Sequence, residues 1–211
     1  MFIHIDLDCY FVSAHRTLDK SLHNIPVAVG GKSNVDIFSH TRVKRTMATN
    51  RASFSSKILD SEDENSSNDY FVDENNKIRG IITSASYEAR AFGVKTAMSV
   101  NEALKLCPNL KMIPPKYSLY DELSSKLKEL LELEIPLIEQ FSIDEFFGDL
   151  TGYIKEDEAE DFARKLKDKI FKELNLPCSI GLANTKYLSK LMTNEAKPNN
   201  IKLLKKDNIE E

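Results

Sequence analysis

"EQFSIDEFFGDL" (residues 139–150) decides the fold. Its two halves, "EQFSI" and "FFGDL", read as the strands of a hairpin, with Asp144 and Glu145 at the bend. Adjacent carboxylates repel each other, and a solvated turn is the simplest account of such a pair. Here the flanks are apolar, Ile143 before and Phe146 after, so a bound cation is the more pointed reading if a third carboxylate arrives nearby. Upstream, Tyr120, Leu123, Leu127, Leu130 and Leu131 recur at helical spacing behind Ser118. Downstream, Ala159, Phe162, Ala163, Leu166 and Ile170 make one apolar face of a helix over residues 156–174. "PCSIGLA" (177–183) follows as a buried strand, and the chain itself opens on the strand "FIHIDL" (2–7), with Asp6 and Asp8 at its exit. With residues 10–112 set aside, the order is strand, helix, strand, strand, helix, strand: the α+β split βαβ, or ferredoxin-like, pattern. Right-handed crossovers place the first strand mid-sheet beside the hairpin, which brings Asp6 to the acidic bend.

The intervening segment has a different character. Residues 9–22 suit a helix, and "IPVAVGG" (25–31) reads as a strand stopped by glycines. From 33 to 77 a basic run (40–51) and an acidic, Ser/Asn-rich run (60–69) show no core periodicity, so a long insertion or mobile loop is expected. Residues 78–94 give a strand and then a helix capped by Ser86, and Ser99 with Glu102 forms a capping box for a helix to Leu106. After the last strand, "NTKYLSKLMTNEAK" reads as a helix.

Composition bounds the function. Of the 211 residues, 41% are hydrophobic and 29% charged, as in a soluble globular chain. Three separated cysteines without a CxxC pair argue against a disulfide framework or zinc site and for a reducing cytoplasm. No basic leader precedes "MFIHID", so no signal peptide is expected, and no run of about 18 apolar residues is available to span a membrane. The net charge of −4 weighs mildly against a nucleic-acid partner.

Asp6, Asp144 and Glu145 are hard oxygen ligands of the kind Mg²⁺ prefers. Two such ions about 3.5–4 Å apart assist in-line phosphoryl displacement. Asp8 is open between a metal contact, a structural hydrogen bond and a helix cap. Tyr87 and Arg90 share a helix face and make either a triphosphate clamp or an ordinary surface pair. Lys186 near a helix start, with Lys190 one turn on, either meets a phosphate or is simply solvated.

Four ordered stretches, "FIHIDLDCYFVSAH", "SASYEARAFGVKTAMS", "SIDEFFGDLTG" and "GLANTKYLSKLMTNEAKPN", resemble the signature segments of Y-family translesion DNA polymerases of the DNA polymerase IV type. The resemblance covers about residues 1–30 and 79–200. It implies a ferredoxin-like polymerase palm (1–9 and 113–200) with an inserted, mainly helical fingers subdomain (10–112), and residues 201–211 starting the connection to an absent thumb. It implies that Asp6, Asp144, Glu145 and the Leu7 backbone carbonyl bind two Mg²⁺ ions, for which Mn²⁺ can substitute. Tyr87, Arg90, Lys186 and the backbone around Cys9 and Tyr10 would hold the incoming triphosphate, and Phe11 would be the steric gate against a 2′-hydroxyl; as residue type alone, Phe11 is equally a core aromatic. The implied partners are primer-template DNA, deoxynucleoside triphosphates and a sliding clamp reached through an absent C-terminal part. The fragment alone would then have little activity, and the missing basic surface would account for the acidic balance. His15 stands where a glutamate is common, "KPNN" lacks the usual glycine, and Phe146, Phe147 and Gly148 depart from the family's small–aromatic–apolar pattern. The rival readings are a nucleotide cyclase, for which no GG[DE]EF-like turn exists, and a non-catalytic, polymerase-like adaptor that binds DNA or protein.

Overall fold

The computed structural model describes residues 1–31, 69–73 and 75–205. The basic run 40–51 and, but for Asp69, the acidic run 60–69 lie outside the described residues. The chain divides into two compact units: Met1–Ser21 with Leu119–Glu211, and Leu22–Ser118.

The first unit is built on a five-stranded sheet. Its strands are β1 (Phe2–Leu7), β5 (Leu137–Gln140), β6 (Glu145–Asp149), β7 (Cys178–Ala183) and β8 (Ile201–Leu203), in the order β5-β6-β1-β7-β8. β1 is antiparallel to both β6 and β7, so the first strand lies mid-sheet as the ferredoxin-like pattern requires. It touches one strand of the hairpin, β6, while β5 lies outside it. Helices α1 (Tyr10–Leu18), α4 (Tyr117–Glu134), α5 (Ala159–Leu174) and α6 (Lys186–Ala196) join these strands.

Period-two alternation divides β1. Ile3, Ile5 and Leu7 point to an apolar side with Phe146, Ile180 and Leu182, all buried. The apolar stripes of α4 (Leu123, Leu127, Leu131) and α5 (Ala163, Leu166, Ile170) are buried as expected, whereas Phe162 is only half-buried. His4 and Asp6 point to the other side, which α6 covers: the Thr193 hydroxyl lies 2.9 Å from His4 Nδ1. That approach depends on Gly181, opposite His4 in the register. A Cβ there would stand 2.0 Å from the Ser189 carbonyl oxygen and 2.4 Å from the Thr193 nitrogen, so only glycine admits the helix. Gly148 acts similarly on the apolar side, where Ile3 and Ile135 fill the space a side chain would take. The unusual Phe146–Phe147–Gly148 run is therefore matched by its neighbours.

Three boundaries differ from expectation. Residues 141–144 form the hairpin bend and Glu145 already belongs to β6, paired with Asp6. Residues 201–203 do not open a connection but extend the sheet parallel to β7. α1 belongs to the first unit rather than to the insertion, because Tyr10, Phe11 and His15 all meet Tyr120 of α4.

In the second unit, β2 (Val27–Gly31) lies between β3 (Ile81–Ala85), antiparallel, and β4 (Lys111–Ile113), parallel. Short helices α2 (Tyr87–Ala91) and α3 (Val100–Leu106) carry Ala89, Val100 and Ala103 into a core with Ala28, Phe71, Ile82 and Met112. Ser86 and Ser99 cap them by accepting from the Ala89 and Glu102 amides. Among the described residues this unit sets a small mixed sheet beside its short helices, and the strands on either side of the 33–77 segment pair directly. None of the three cysteines is in a disulfide, and all are buried. Among the described residues, no helix is long and apolar enough to cross a membrane.

Candidate functional site

Register brings the carboxylates together. Asp6 is the Cα partner of Glu145, and the next residue along, Leu7, donates its amide to the Asp144 carbonyl at 3.1 Å. Carboxylates directly opposite on one face of a sheet are unfavourable unless something neutralises them. Two lysines do so. Lys197 Nζ lies 2.7 Å from Asp6 Oδ1, and Lys190 Nζ lies 2.8 Å and 2.9 Å from the two Glu145 oxygens. The Ser142 hydroxyl donates to Asp144 Oδ1 at 2.6 Å.

The three acids differ in proton affinity. Burial raises Asp6 to about 7, against the pull of Lys197 and with help from Asp144 and Glu145. Burial also raises Asp144, opposed by its Ser142 bond. Burial pushes Glu145 the same way, but Lys190, His4 and a hydrogen bond with Asp6 outweigh it and hold Glu145 below the ordinary value. Asp6 is therefore the member of the Asp6–Glu145 pair that takes up a proton first as pH falls.

A metal must fit this donor set. Among the described residues, no three His, Cys, Asp or Glu side chains form a ready metal cage. The chemistry still suits a hard cation: the buried Asp6 and half-buried Asp144 and Glu145 carboxylates stand at adjoining positions of β1 and the hairpin, and the lysine ammonium groups already supply the positive charge the place demands.

The remaining candidates are placed as follows. The Asp8 carboxylate accepts from Ser179 Oγ at 3.0 and 3.1 Å and from the Asn199 amide at 2.7 Å, so a structural hydrogen-bond role is what the geometry gives it. Cys9 caps α1 in the left-handed region (φ 46°, ψ 46°), and the amides at Cys9 and Tyr10 open the helix where its dipole favours an anion. Phe11 is half-buried and stacks on Tyr120 at 4.2 Å between centroids, while His15 Nε2 lies 2.9 Å from the Tyr120 hydroxyl. Lys186 is exposed and paired with Glu139. Tyr87 and Arg90 belong to the second unit, apart from the carboxylates in the division; the guanidinium lies 5.0 Å from the Tyr87 ring centroid and its Nε donates to the Ala85 carbonyl.

Sequence reasoning missed Lys197 and His4. Pro198 was the signal for the first, because a proline ends a helix and leaves the preceding residue at its C-cap, here next to Asp6. His4 had only its place in the β1 alternation, two residues from Asp6.

Compared with known proteins, residues 5–194 match the impB/mucB/samB family. The chain belongs to that family. Its similarity to "DNA polymerase IV" of Alkaliphilus oremlandii is 34% identity over 207 residues, 98% of this chain and 42% of the relative. To "DNA polymerase IV 1" of Halalkalibacterium halodurans it is 43% over 133 residues, 63% of this chain and 32% of the relative. Among solved structures, the "insertion ternary complex of Dbh DNA polymerase" shares the fold with a TM-score of 0.76 at 23% identity, over 99% of this chain and 49% of that one. The chain thus spans less than half the length of these relatives.

Proposed function

We propose that this chain is the catalytic portion of a translesion-type, template-directed DNA polymerase that adds deoxynucleotides to a primer 3′-end. One observation carries the reading: Asp6 and Glu145 face each other across β1 and β6, with Asp144 adjoining, in a member of the impB/mucB/samB family. The first unit, α1 included, is the palm, and the second is the fingers. In this reading Asp6, Asp144, Glu145 and the Leu7 carbonyl would hold two Mg²⁺ ions, replaceable by Mn²⁺. Such ions, when bound, polarise the primer hydroxyl and neutralise charge on the triphosphate.

The chain's own groups do the rest. With a cation bound, Asp6 would lose its proton to solvent and leave its pairing with Lys197, and Glu145 would leave Lys190. The freed ammonium groups are then available to the triphosphate, a role that Lys197 fits better than the exposed Lys186. Nucleotide binding falls to the helix entry at Cys9–Tyr10 in the palm and to Tyr87 and Arg90 in the fingers. Phe11, backed by Tyr120, is the gate that packs under the sugar. Duplex grip and contact with a sliding clamp fall to the greater length that the relatives have, and the setting is the cytoplasm.

The test is Mg²⁺-dependent primer extension by the whole protein that contains this chain, beside deoxynucleotide binding to the 211 residues. Asp144→Ala is expected to abolish extension and weaken metal-dependent binding. Binding indifferent to both metal and substitution would reject the polymerase reading in favour of the adaptor.

A further inference from the structure

Among the described residues, one buried side-chain nitrogen or oxygen has no hydrogen-bond partner: His4 Nε2. The residue is fully buried in the middle of β1, between Phe147 and Gly181 in the register. Its ring rests on Phe147, with centroids 4.4 Å apart. Nε2 points toward Glu145, 4.0 Å from Oε1, which is too long for a hydrogen bond and too close to be indifferent.

The other ring nitrogen constrains the choice of proton. Nδ1 lies 2.9 Å from Thr193 Oγ1, which also stands 3.1 Å from the carbonyl oxygens of His4 and Ser189. A fully buried imidazole with no hydrogen-bond partner at Nε2 carries a single proton, on one nitrogen or the other. If Nδ1 carries it, the bare lone pair of the buried Nε2 confronts the Glu145 carboxylate. If the Thr193 hydroxyl donates to Nδ1 instead, Nε2–H faces the carboxylate and the contact turns attractive.

We propose that His4 is a positioning residue for Glu145: its Nε2–H takes one carboxylate oxygen when Lys190 releases Glu145 to a divalent cation, so that the other oxygen is presented to the metal. A small movement of Glu145 away from Lys190 closes the 4.0 Å gap. Ligating carboxylates are commonly oriented by such hydrogen bonds, whose loss typically weakens metal binding about 10–100-fold. The inference rests on Glu145 as a metal ligand, as proposed above.

Mn²⁺ titration of the 211-residue chain, followed by electron paramagnetic resonance, separates the possibilities. His4→Asn keeps a polar group near the Nδ1 position for Thr193 but nothing at Nε2, and His4→Gln restores an N–H near Nε2. The expected result is binding about tenfold weaker in His4→Asn and near wild type in His4→Gln. Equal affinities in wild type and His4→Asn, or a loss in His4→Gln alone, overturn the proposal. If Glu145→Gln weakens binding and His4→Asn does not, the metal reading stands and the His4 role falls. If Glu145→Gln binds as wild type does, or wild type binds no Mn²⁺, both fall. Should the variants fail to fold, ¹⁵N resonances of the wild-type imidazole decide: an Nε2–H tautomer supports the role, and an Nδ1–H tautomer overturns it.

Discussion

The two sides of β1 obey different rules. Toward α4 and α5, Ile3, Ile5 and Leu7 pack among apolar neighbours, and any residue of similar volume meets most of the requirement. Toward α6, His4 and Asp6 are buried just as deeply but need named partners: Thr193, Lys197 and Glu145. The apolar side supplies the stability, and the polar side is a stressed arrangement that the rest of the unit holds in place.

The largest expected effect tests the helix that encloses the polar side. Gly181→Ala cannot be accommodated without lifting α6, since the new Cβ meets backbone at 2.0 Å. A loss of more than about 4 kcal/mol, or no cooperative unfolding transition at all, is expected in denaturant titration. Phe146→Ala, fully buried on the other side, should cost about 3–5 kcal/mol by the same measurement. If Phe146→Ala proves the costlier of the two, α6 is more loosely seated than its contacts state.

Acid separates the sides further. Unfolded His4 takes a proton near 6.5 and folded His4 only near 4, so between those values the unfolded chain binds more protons and stability falls as pH falls. Asp6 runs the other way: its folded value near 7 exceeds the ordinary aspartate value, so its contribution rises as pH falls through that window. The two contributions oppose each other in the wild type. Thermal melts from pH 7 to pH 4 should therefore show a steeper acid loss in Asp6→Asn and a shallower one in His4→Gln. Parallel curves for all three chains would mean that the polar side is wetter than its burial indicates.

A smaller effect concerns the competing cation. Lys197→Met removes the ammonium a metal must displace from Asp6, and Mn²⁺ should bind tighter by about 1 kcal/mol, roughly fivefold. The smallest is expected at Glu122, whose exposed pair with Lys126 along α4 should cost no more than about 0.5 kcal/mol when cut to alanine.

The contrast also explains what the sequence disclosed. The apolar stripes of α4 and α5, the capping serines at 86 and 99 and the acidic bend are local patterns, visible because burial and capping impose short-range spacing. From them the ferredoxin-like order and the meeting of Asp6 with Glu145 followed directly. β8 was hidden because three residues pairing parallel to β7 carry no periodicity of their own. Lys197 and His4 were hidden because their importance lies in what faces them across long stretches of chain: Asp6 for one, Thr193 and Glu145 for the other. Lysines are common on solvated helices, and a histidine within an apolar strand reads as core.

The burial of all three thiols has a practical consequence. Cys9 and Cys178 lie in the first unit and Cys107 in the second, and each is enclosed by its own core; burial also pushes the Cys178 thiol well above its ordinary range. Thiolate is the reactive species, so maleimide or methanethiosulfonate reagents should leave the native chain essentially unlabelled. Two engineered surface cysteines, one in each unit, would then carry fluorophores or spin labels without background. Distances measured between them, with and without Mn²⁺ and nucleotide, would report how the two units move as substrate arrives.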